Sequence, residues 1–174
     1  LGMLLKAEST MRRMREVLKL SRGMEMIGFR KIDPEVAMEK NTWFHLGRNS
    51  CEEILYCLRR IADPCEEHVD NNFVPLSKEQ VKEYIPLRDT VLFLLRRTEK
   101  ILQTDSYDEV DEVRREAEEL KDCLEKAREA QMQRMQSSKE NIAVAYLYLN
   151  LLQETRELTS SLRHLLRASK GFRE

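Results

Sequence analysis

Apolar residues in this chain recur at steps of three and four almost throughout, and no stretch keeps the period-two alternation of a strand. In the first segment Leu4, Ala7, Met11, Met14 and Leu18 form one stripe, which predicts a helix from about Met3 to Arg22. Gly23 and Gly28 then bracket a short apolar run, and Asp33-Pro34-Glu35 has the form of an N-cap followed by proline at the first helical position. A helix opens at Pro34 and either stops near Asn41 or runs on, since Gly47 weakens the continuation without forbidding it; a longer helix runs from about Trp43 to Asn71. Its stripe is Cys51, Leu55, Leu58, Ala62, Cys65 and Val69, widened by Ile54 and Ile61. Pro64 inside it removes a backbone donor and predicts a kink.

Ser77 and Gln80 have capping-box spacing and start a helix that reaches about Gln103. This helix carries two stripes. One is Tyr84, Leu87, Val91, Leu94 and Ile101; the other is Val81, Ile85, Leu92, Leu95 and Leu102. Two stripes predict two packing neighbours. From Tyr107 to Gln136 a heptad seam of Val110, Val113, Ala117, Leu120, Leu124 and Ala127 is flanked by charge. It reads as antiparallel packing within the chain, with an intermolecular coiled coil as the rival. After a turn at Ser137-Ser138-Lys139, the stretch Ile142 to Leu152 is apolar on every side except Asn150. A helix apolar all round is buried all round. It is too short to span a bilayer, which needs roughly 20 residues. This last helix should therefore be the centre of the bundle, emerging from the core at Glu154 and Glu157 and ending near Ser169 with Gly171 as C-cap.

The expected fold is an all-α antiparallel bundle of about five helices, a single domain over residues 1–174, in which the first two helices cover the open face of the last three. Charged residues make up 35% of the chain, with only 5 Gly and 4 Pro, which suits long helices with solvated faces. A net charge of −1 argues against general nucleic-acid binding, which draws on excess basic charge. The four cysteines form no CxxC pair and have no zinc-finger spacing, so we read Cys51, Cys57 and Cys65 as reduced, buried thiols. No signal peptide or membrane span is visible.

Phosphate-binding loops, nucleophile elbows and zinc-protease motifs are absent from the sequence. The carboxylates around His68 offer the nearest approach to chemistry. Glu66 shares a helical face with Asp70, and Asp63 with Glu67, a spacing that chelates metal when another helix adds ligands. Arg156, Arg163 and Arg167, joined by Arg59 and Arg60, could form an anion or partner-docking surface.

The segment Leu58 to Asp70, LRRIADPCEEHVD, resembles the repeated acidic motif of PhoU-type proteins. The final stretch, YLYLNLLQETRELTSSLRHLLRASKGF, is similar to the C-terminal tail of bacterial sodium/phosphate cotransporters, in which a PhoU-like domain follows the membrane transporter. HVDNNFVPLSKEQV is similar to a link between two helices of that domain. The resemblance runs from about Cys51 onward. It implies a non-catalytic regulatory domain of a sodium-dependent phosphate cotransporter, on the cytoplasmic side of the bacterial inner membrane. Its partner would be the transporter domain of the same polypeptide, the chain starting at Leu1 being the C-terminal part of a longer membrane protein. It would act by docking on the transporter's inner face or by forming a homodimer, without inserting into the membrane itself. In the family the acidic motifs bind clustered metal. Here Arg59 stands where the first motif has its first acid, Pro64 where it has its His, and Gln153 where the second motif has its first acid. Asp63 and Glu157 match ligand positions, and Asp63, Glu67 and Glu157 are the candidate ligands for a divalent metal or iron cluster; we expect no cofactor. Two other readings stay open. One is a free-standing PhoU-type phosphate-signalling adaptor; the other is a metal-binding bundle built on Asp63, Glu66, Glu67, Asp70, Glu154 and Glu157.

Overall fold

The computed structural model describes residues 2–21, 33–137 and 140–174, with side chains in the first stretch described for 9–20. The Gly23 to Gly28 segment, residues Ser138 and Lys139 of the last turn, and the side chains of Leu4 and Ala7 lie outside the described residues. Within them there are five α-helices and no strand: α1 (Gly2–Ser21), α2 (Pro34–Asp70), α3 (Lys78–Thr104), α4 (Val110–Ser137) and α5 (Ile142–Arg173).

Local chemistry accounts for most of the helix ends. The Asp33 carboxylate accepts the Glu35 amide at 3.0 Å, with Pro34 in the first turn. Ser77 and Gln80 form the reciprocal capping box, at 3.1 and 2.9 Å. Asn141 accepts the Val144 amide at 3.2 Å. After α2 and α3 the chain turns through Asn72 and Asp105, both left-handed with φ near 50°, a conformation that Asn and Asp tolerate better than most side chains.

α2 is one helix of 37 residues, so the segment that opens at Pro34 runs on into the longer helix. It passes through Gly47 and Pro64, because packing along α5 outweighs the local cost of both. Its buried residues are Ser50 and Cys57, with Ile54, Leu58 and Ile61 half-buried against the core, while Val69 is exposed.

α5 is the centre of the bundle. It packs most extensively on α2, then on α4, and also on α3. Although α2 and α3 follow one another in sequence, each leans on α5 and on few residues of the other. The core is built from Cys57, Val91, Leu94, Ile101, the α4 seam and Tyr148, Leu152, Leu158, Leu162 and Leu166 of α5. Each fully buried Leu of this set contributes about 2 kcal/mol. The α4 seam is consumed inside the chain from Val110 to Leu124, with Ala127 packed against the same core.

Two expectations change and one holds in part. The start of α5 is not buried all round: Ile142 and Tyr146 are exposed, and the most enclosed stretch is Leu151 to Ala168. α5 therefore does not emerge from the core at Glu154; α2 lies over it there. α3 meets two neighbours, α4 and α5, as its two stripes predict, but of the second stripe Leu95 packs against the core while Val81, Ile85, Leu92 and Leu102 are exposed. α1 rests chiefly on α2 and does not cover the bundle.

Candidate functional site

The polar residues brought together by the fold lie in two places. The first is the seam between α2 and α5. Arg60 Nε donates to Glu154 Oε2 at 2.7 Å, and the Glu154 side chain is only 10% exposed. Arg60 Nη2 donates to Glu53 Oε1 at 3.3 Å, one of the carboxylates two turns back on its own helix. The guanidinium lies 4.2 Å from the Tyr56 ring centroid, a cation–π contact. Asn150, the polar residue within the apolar run, donates to the Arg60 backbone carbonyl at 2.9 Å. Burial works to lower the Arg60 pKa, but the hydrogen bond and charge of Glu154 raise it above its ordinary value. Cys57 sits beneath this pair. Burial, then the neighbouring Glu53 carboxylate, pushes its thiol up to about 12.

The second place is the end of the bundle where α3 begins and α4 finishes. Buried Gln80 donates to Glu140 at 2.8 Å and to Gln131 at 3.2 Å, and Gln131 donates to the other Glu140 oxygen at 2.7 Å. Arg134 grips Glu83 with both terminal nitrogens, at 2.6 and 2.9 Å. Tyr148 donates to Glu83 at 3.1 Å. The Arg134 hydrogen bond holds the Glu83 carboxyl below its ordinary pKa. Thr155 gives its proton to the Leu151 carbonyl at 2.6 Å, which leaves Tyr84 to donate to Thr155 at 2.8 Å. Every donor and acceptor here is matched by a protein group, as a buried polar network requires. Its signal was present in the sequence: Gln131 and Arg134 continue the 3-4 spacing of the Val110 to Ala127 seam with polar residues.

The sequence-predicted candidates take other partners. Asp63 is exposed and faces Arg59 at 3.7 Å. Glu67 and Asp70 are exposed and Glu66 is half-buried. Glu157 accepts from Gln153 at 2.9 Å and lies 3.8 Å from Arg156. Thus both residues that replace the motif's first acids, Arg59 and Gln153, bind the carboxylate four positions on. Among the described residues no group of three or more His, Cys, Asp or Glu side chains comes together as a metal site. His68 donates from Nε2 to the Val74 carbonyl at 2.7 Å and stacks edge-on against Phe73, closing the turn after α2. The proposed cationic surface is not assembled as such. Arg60 is held by Glu154, Arg156 lies 3.9 Å from Glu125, and Arg163 pairs with Glu118 of α4. Glu118, one of the charges that flank the α4 seam, is thereby an interhelical partner.

Arg97 was also missed. It reaches from α3 to three carboxylates at the start of α4: Glu112 and Glu116 at 2.8 Å and Glu109 at 3.2 Å. The charge-dense face of α4 gave no indication of which acids it would engage. No family model matches this chain, and neither curated proteins nor solved structures give a match.

Proposed function

We propose that this chain is a non-catalytic, PhoU-like regulatory domain that acts on the cytoplasmic face of a sodium-dependent phosphate cotransporter. One observation carries the reading. The two segments that resemble the family's motifs, residues 58–70 and 153–166, lie on α2 and α5, the pair of helices with the most extensive mutual packing. Arg60 and Glu154 link them directly. Two segments distant in sequence thus meet along one seam, as paired repeats would. The departures at Arg59 and Gln153 favour regulation by docking over metal chemistry, because a cation beside Asp63 repels a second cation.

The docking surface in this reading is the exposed apolar stripe of α3, Val81, Ile85 and Leu92. The test is the reading frame upstream of Leu1 together with sodium-driven phosphate uptake. Hydrophobic spans encoded upstream, and uptake altered by Ile85→Asp and Leu92→Asp in the full protein, are the expected results. An ordinary start codon just before Leu1, with no spans, would overturn the transporter reading and leave a free-standing phosphate-signalling adaptor.

A further inference from the structure

We propose that α3 pairs with α3 of a second copy of this chain, antiparallel and about a two-fold axis, through its outward stripe. With its two charged positions counted, the stripe is a heptad seam. Val81, Ile85, Arg88, Leu92, Leu95, Glu99 and Leu102 follow one another at alternating steps of four and three. At about 100° per residue these side chains fall within an arc of roughly 100°, with Tyr84 and Gln103 at its edges. Leu95 is half-buried against the core, and the other six seam residues are exposed. The seam of α4 is consumed inside the chain. This one faces outward along about 30 Å of helix that the bundle has already formed.

Charge selects the occupant and its register. With the two-fold level with the Phe93–Leu94 peptide, Ile85 meets the partner's Leu102 and Leu92 meets the partner's Leu95. In the layer between them Arg88 meets the partner's Glu99, and symmetry repeats each contact. The two opposite charges of the seam thus answer one another. On the solvent flank Asp89 faces the partner's Arg96, and Lys82 faces the partner's Gln103. In the single chain Arg88 donates to Asp89 at 3.0 and 2.8 Å and Gln103 donates to Glu99 at 3.1 Å, both on the surface and free to exchange. A parallel pair would set Arg88 on Arg88 and Glu99 on Glu99. Slipping the antiparallel pair by one heptad would set Arg88 against Leu92, or Glu99 against Leu95. One arrangement of one partner therefore satisfies every seam position from Ile85 to Leu102. The face is the one assigned above to docking, and the functional consequence rests on that reading: self-pairing covers Ile85 and Leu92, so the dimer is the form that cannot dock.

The experiment is sedimentation equilibrium of the purified chain, under reducing conditions because Cys123 is exposed. We expect a monomer–dimer equilibrium in the wild type. Arg88→Glu and Glu99→Arg should each raise the dissociation constant at least about a hundredfold, because each creates two like-charge layers per dimer. The two variants mixed should pair with one another. Arg88→Glu combined with Glu99→Arg in one chain should restore the wild-type equilibrium. Both side chains are exposed, so helical content by circular dichroism should not change. A wild type that stays monomeric at its highest soluble concentration would overturn the proposal. So would single variants that still dimerise, which would assign the dimer to another face, or a mixture or double variant that stays monomeric. The assay contains no transporter, so a monomeric chain leaves the docking reading untouched.

Discussion

Arg60 of α2 and Glu154 of α5 form a 2.7 Å ion pair across the largest helix–helix seam of the molecule, 94 residues apart in sequence. Glu154 has given up most of its water for one guanidinium. Removing a single partner of such a pair strands the other. Glu154→Ala should destabilise the fold by about 3 kcal/mol, less than for a fully enclosed pair because Arg60 keeps some solvent contact. The double change Arg60→Met with Glu154→Leu should recover most of that loss. Urea unfolding of the two variants decides it; equal losses would mean that the pair contributes attraction rather than mutual neutralisation.

Glu83 links stability to acid. Its folded-state pKa lies below the ordinary 4.5 because Arg134 and Tyr148 bond the charged form. A carboxylate with a depressed pKa contributes stability that is present above 4.5 and is lost as pH falls through the lower folded value. The wild-type protein should therefore lose stability as the pH drops below that point, and Glu83→Gln should show a shallower acid dependence. Thermal melts of both proteins across the acidic range measure the difference in slope.

The thiols should separate by reactivity. Cys57 is wholly buried and its pKa is raised to about 12, whereas Cys123 is exposed. The thiolate is the reactive form. A disulfide reagent should label Cys123 promptly in the native protein and reach Cys57 only on unfolding. Cys51 and Cys65, half-buried and with pKa values raised by burial, should fall between. Fast labelling of Cys57 at neutral pH would show that the α2–α5 seam opens.

Gly171 is required for packing and not for capping. α5 continues past it to Arg173, and a Cβ placed on it would fall 2.5 Å from Cε2 of Trp43. The indole is rigid, so Gly171→Ala should cost about 1–3 kcal/mol by overpacking. Trp43 is the sole tryptophan in the chain, so its emission should shift with the same substitution. An unchanged spectrum would place the end of α5 away from the ring.

Thr98 and Thr155 predict opposite outcomes for one substitution. Both are buried, yet the Thr98 hydroxyl has no hydrogen-bond partner among the described residues while Thr155 bonds both Leu151 and Tyr84. Thr98→Val should raise stability by about 1 kcal/mol, and Thr155→Val should lower it by a similar amount or more. Denaturation midpoints of the two variants check the sign of each.

The helices themselves were legible because their causes are local. The 3-4 spacing, the capping box at Ser77 and Gln80, and the Asp33-Pro34 start act within a few residues, and each reappears in the structure. The α4 seam and the central place of α5 follow from the same periodicity. What the sequence could not determine is which face of a helix meets which neighbour. The second stripe of α3 has the same spacing as the first, but α4 and α5 occupy only one side of the helix. Glu154 carries no local mark that separates it from Glu157; it is buried because α2 lies over it and Arg60 arrives from far along the chain. The pairing of Arg59 with Asp63 and of Gln153 with Glu157, in contrast, spans four positions of one helix and follows from its periodicity. Periodicity acts through neighbours on one helix, so the sequence determined the helices and their apolar stripes. Burial and ion pairing act between helices, so tertiary structure alone decided which polar groups became the joints of the bundle.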